Sequence, residues 1–150
     1  MKKFSFHLEP VLKYKGDILE VVKNEHSKAL RDVADQEERI KTIENNKKEY
    51  IRQFDEKKKK FITVAEAEIY GMYIARQDAV LKREYAVLKT LQKAEAEKRE
   101  KMIEAKKEKL SIEKLKEIKI SQYNKAMQKE NEAFIEEFVS NAKIKLNAGI

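Results

Sequence analysis

Fourteen residues in the first third of the chain follow one another in alternating steps of four and three. They are Leu8, Leu12, Lys15, Leu19, Val22, His26, Ala29, Val33, Gln36, Ile40, Ile43, Lys47, Tyr50 and Phe54. A mean spacing near 3.5 residues keeps one stripe of a helix facing a partner helix as the two supercoil. Ten of the fourteen are apolar, and the polar four (Lys15, His26, Gln36 and Lys47) fall at every third position. Polar residues in such a seam weaken it while restricting register and partner. The pattern predicts a specific coiled coil rather than a maximally stable one.

Turn chemistry limits what else the chain can build. Among 150 residues there are three Gly and one Pro, too few for the loops of an ordinary globule. Pro10 suits the first turn of a helix, where its missing N–H removes no bond, so the first helix is expected over about 8–56. The run Lys57–Lys60 suits a helix C-terminus, whose carbonyls favour cations. Thr63-Val-Ala-Glu66 has the form of a capping box opening a new helix. A turn is therefore expected at about 57–63. A second helix should follow over about 64–146, since nothing interrupts it before Asn147-Ala-Gly149. At 1.5 Å per residue the helices would measure ~70 and ~120 Å. Folded back antiparallel, they form an all-α, long two-helix coiled-coil hairpin whose longer C-terminal helix overhangs. The expectation is one domain spanning 1–150.

Charge and composition narrow the function. Charged residues make up 41% of the chain and aromatics 8%, leaving no thick core and no concave pocket for small-molecule chemistry. There is no Cys, the three glycines stand alone at 16, 71 and 149, and the two histidines, His7 and His26, lack helical ligand partners. No enzyme activity, small-molecule substrate, cofactor or metal is expected. The net charge of +7 is spread over mixed-sign faces without interleaved aromatics, so it reads as a solvated helix surface and not a nucleic-acid site. The longest uncharged stretch, Ile69 to Ala75, is seven residues, against roughly 20 for a membrane span. The first residues form no signal peptide, so a cytoplasmic location is expected.

Two apolar clusters exceed what one seam can bury. Ile69-Tyr70-Gly71-Met72-Tyr73-Ile74 is apolar all round a helix near the expected turn. Phe134, Ile135, Phe138 and Val139 lie on the expected overhang. Contiguous exposed apolar surface marks a binding site, and Tyr and Met suit one. Gly71 inside a helix costs about 1 kcal/mol relative to Ala, which points to a bend or a close contact.

The opening Phe4-Ser-Phe6-His-Leu8-Glu-Pro-Val11-Leu12 resembles the start of the FliJ family of the flagellar type III export apparatus. The C-terminal third is similar as well, through Ala105-Lys-Lys-Glu-Lys109, Glu113-Lys-Leu115-Lys, Tyr123 and Ile135-Glu-Glu137-Phe138. At Ile135-Glu136-Glu137 the family more often has an apolar residue followed by Asp-Glu, a departure that keeps the charge. The resemblance implies a cytoplasmic protein, held at the membrane through the export apparatus, that binds the hexameric export ATPase as a central stalk enters a rotary ring. It further implies contact with the membrane export gate and with export chaperones. On that resemblance Phe4, Phe6, Leu8, Val11, Leu12, Phe134, Ile135 and Phe138 would face the ring, and Tyr70, Met72 and Tyr73 the gate. The alternatives are a rotary-ATPase stalk subunit, the equivalent rod of a virulence type III system, or a nucleic-acid or cytoskeletal coiled coil.

Overall fold

A computed structural model describes residues 2–149; Met1 and Ile150, the ends of the expected single domain, lie outside the described residues. Two helices account for nearly all of it, α1 (Glu9–Lys60) and α2 (Val64–Ala148). The expected all-α class is the one observed. The chain divides into two compact units, one made of Met1–Leu19 with Ala105–Ile150 and the other of Glu20–Glu104. In each, a stretch of α1 packs antiparallel on a stretch of α2. Among the described residues no helix is long and apolar enough to cross a membrane.

The Glu20–Glu104 unit is a helical hairpin. Its turn is only Phe61–Thr63, because Lys57–Lys60 continue α1 for its last turn instead of leaving it. Lysine is a good helix former, and cations are favoured beside the terminal carbonyls, so nothing ends the helix before Phe61. The new helix opens as its sequence implies: the Glu66 N–H donates to Thr63 Oγ1 at 3.1 Å. Contacts run in antiparallel order, with Glu25 meeting Lys98, Gln36 meeting Glu84, and Tyr50 meeting Tyr73.

In the other unit, residues 2–8 form a strap without regular secondary structure, ending in a turn at His7–Leu8, before Glu9 starts α1. The Glu9 N–H donates to the Phe6 carbonyl at 3.1 Å, which turns the strap into the helix, and Pro10 follows in the first turn. Phe6 is buried at 6% exposure, Phe4 meets Tyr123 edge-on at 5.6 Å, and the Tyr123 hydroxyl donates to the Lys2 carbonyl at 2.6 Å. Lys116 pairs with Glu9 at 2.8 Å in the same antiparallel sense. Beyond Tyr123, every described residue of α2 is exposed.

All fourteen seam positions from Leu8 to Phe54 are buried or half-buried. The second helix carries a matching seam: Ala67, Tyr70, Ile74, Gln77, Leu81, Glu84, Leu88, Leu91, Glu95, Lys98, Met102, Ala105, Lys109, Ile112 and Lys116 are also withdrawn from solvent. Those steps alternate three and four without a break. Core burial stays thin, with Phe6, Leu19, Ile40, Leu81 and Ala105 as the buried apolar residues among those described. Stability is thus spread over a long row of half-buried side chains, each contributing part of the ~1.5–3 kcal/mol of a fully buried one.

Candidate partner-binding surfaces

Within the seam, each polar residue of α1 is answered by an acid on α2. Lys15 Nζ donates to Glu108 at 2.9 Å, and His26 Nε2 lies 2.8 Å from Glu95 Oε1. Gln36 Nε2 donates to both the carbonyl of Glu84 at 2.9 Å and its carboxylate at 2.6 Å, and Lys47 pairs with Asp78. The Glu108 carboxylate holds the Lys15 ammonium above its ordinary value, mainly through that hydrogen bond. Glu84 and Glu95 are 16% and 15% exposed and each also holds an arginine, Arg39 at 3.6 Å and Arg99 at 3.5 Å. Charges this far from water need such partners. These four positions are internal to the fold and set its register.

The aromatic cluster near the turn is internal too. Tyr50 stands 4.7 Å from Tyr70 and 3.9 Å from Tyr73 between ring centroids, and Phe54 stacks on Tyr70 at 4.9 Å. Lys57 and Lys58 lie over the Tyr70 and Phe54 rings at 5.6 and 3.8 Å. Tyr70 and Tyr73 therefore spend their rings on α1. What reaches solvent from the same stretch is Met72 at 73% and Ile69 at 61% exposure. A Cβ on Gly71 would meet nothing within 4 Å, so the close contact its sequence position suggested is not made inside the described chain. One turn back on α1, Arg52 bridges Glu49 and Glu56, and its guanidinium holds the Glu49 carboxyl below the usual range.

The ring-facing candidates divide into two groups. Phe6 is buried, Phe4, Leu8 and Leu12 are half-buried, and Val11 is exposed. This group secures the strap and the start of α1, leaving only its edges for a partner. Phe134, Ile135 and Phe138 are all largely exposed, together with Val139, Ile144 and Leu146. Positions 134 and 138, and 135 and 139, are four apart and so adjoin on one helix face. Phe134 lies eleven residues beyond Tyr123 along α2, ~16 Å at 1.5 Å per residue. The structure brings Phe4 to Tyr123 but keeps the Phe134 group as a separate patch.

Sequence patterning did not single out Phe61 and Val64, which the structure leaves 81% and 79% exposed at the turn. Their signal was an apolar residue directly after a run of four lysines. The α2 seam was missed because six of its fifteen positions are polar, which hides a regular spacing behind charges.

No curated protein and no solved structure matches the chain. Over residues 4–146 it matches the family described as FliJ, flagellar FliJ protein, which covers the strap, both helices and the exposed C-terminal face, so the chain belongs to the FliJ family and is a component of the flagellar export apparatus.

Proposed function

We propose that this chain is a non-enzymatic stalk that binds the hexameric export ATPase through the exposed apolar face of the C-terminal part of α2. The carrying observation is that Phe134, Ile135, Phe138 and Val139 lie together on a helix that α1 does not cover within its own unit. Each fully buried side chain of this kind contributes about 1.5–3 kcal/mol, so the four together supply about 6–12 kcal/mol of gross apolar attraction before association costs are subtracted. A helix seated in a ring touches its subunits unequally and can favour assembly or one catalytic state, which couples binding to ATPase activity. The protein then resides in the cytoplasm and reaches the membrane through its partners. Met72 and Ile69, with the outer edges of Tyr70 and Tyr73, form the surface offered to the export gate. Export chaperones are further partners of the same exposed helix faces.

The test pairs two variants with two readouts. Phe134→Ala with Phe138→Ala should abolish stimulation of the purified export ATPase while circular dichroism stays that of the parent. Met72→Glu should leave stimulation intact and reduce export in cells. Stimulation undiminished by the double Phe substitution would refute the ring assignment. Loss of stimulation from Met72→Glu would refute the division of roles. A rotary ATPase stimulated in place of the export ATPase would favour the alternative stalk reading.

A further inference from the structure

The end of the hairpin presents chemistry that neither the seam nor the apolar helix faces use. Lys57, Lys58, Lys59 and Lys60 are all exposed in the last turn of α1, and among the described residues none of them is paired with a carboxylate. The nearest preceding acid, Glu56, is held by Arg52 at 2.7 Å, Asp55 lies behind it, and Glu66 and Glu68 follow in α2. From 57 to 65 there is no negative charge. Directly after the lysines comes Phe61, 81% exposed, then Val64, 79% exposed. Helix-end electrostatics accounts for cations near the terminal carbonyls, but that effect fades within one turn and does not explain an exposed Phe in the turn itself.

We propose that this end of the hairpin docks on an anionic lipid surface, with the lysines on the phosphates and Phe61 in the interfacial layer. A bilayer interface requires no shape complementarity, so a three-residue turn flanked by four lysines can meet it. Basic residues beside an exposed aromatic or aliphatic side chain suit an interface where charge and apolar burial act together. Lys59 and Lys60 are the freer pair, since Lys57 and Lys58 also lie over the Tyr70 and Phe54 rings. The lipid contact does not depend on which protein the C-terminal face binds.

Co-sedimentation of the full chain with vesicles tests it. The chain should bind vesicles of mixed phosphatidylglycerol and phosphatidylcholine, not phosphatidylcholine alone, and should be released at about 1 M salt. Each lysine near such a surface strengthens attachment about fivefold, so Lys59→Gln with Lys60→Gln should weaken binding roughly 25-fold. Phe61→Ser should weaken it several-fold without changing helicity. Lys125→Gln with Lys129→Gln removes the same charge from exposed positions elsewhere and should change little. Equal losses from both lysine pairs would mean diffuse attraction by net charge and would overturn the proposal. So would failure of the parent to bind, or tighter binding through Lys59 and Lys60 to polyglutamate than to the acidic vesicles.

Discussion

Removing Gln36 from the seam should cost more than removing many larger side chains. Gln36 is 8% exposed and donates twice to Glu84, once to its carboxylate. In Gln36→Ala that carboxylate, 16% exposed in the parent, keeps among the described residues only Arg39, at 3.6 Å. Losing the partner of a buried charged acceptor costs about 2–3 kcal/mol, while alanine's better helix propensity returns only a few tenths. For a chain of this size that corresponds to a fall in Tm of roughly 4–12 °C. Gln36→Leu with Glu84→Leu removes both polar groups and buries an apolar pair. It should exceed the parent by about 1–3 kcal/mol, because replacing a satisfied polar pair by well-packed apolar groups is often stabilising. Urea unfolding followed at 222 nm, repeated with both single leucine variants, closes the cycle. A Gln36→Ala variant within about 0.5 kcal/mol of the parent would refute the reasoning. A double leucine variant weaker than the parent would show that the polar pair stabilises outright and does not merely select register.

Gly71→Ala should raise stability by about 1 kcal/mol, since its Cβ would meet open space and the helix gains propensity; thermal unfolding checks this, and a loss would mean the glycine relieves strain in α2. Tyr123→Phe removes the hydroxyl that bonds the Lys2 carbonyl while keeping the ring against Phe4. It should cost about 0.5–1.5 kcal/mol locally and speed amide exchange in residues 2–8 without altering exchange in residues 20–104.

Much of the fold was legible because helical periodicity is a local property. The steps of four and three from Leu8 to Phe54 identified every seam position of the first helix, including the four polar ones. Thr63 and Glu66 marked the start of α2 because a cap is decided by neighbours within one turn. The second seam was not legible. Glu84, Glu95 and Lys98 look like surface residues until the opposite helix supplies Gln36, His26 and Glu25 as partners.

The same distinction separates the candidate surfaces. The C-terminal aromatic group could be read from sequence because that stretch lies past the length of the first helix, so no pairing could bury it. Tyr70 and Tyr73 could not be assigned, since an all-round apolar segment does not say which of its faces the partner helix takes. Only packing against Tyr50 and Phe54 turned the tyrosines inward and left Met72 and Ile69 outside. Phe6 likewise became a structural anchor only in the folded chain, where the residues before α1 meet Tyr123 of α2 and Phe6 is buried. The sequence by itself determined the helices, the α1 seam and its polar interruptions, all set by spacing along one chain. The tertiary structure decided which charges are satisfied inside and which apolar side chains remain for partners, because both depend on what the other helix places opposite them.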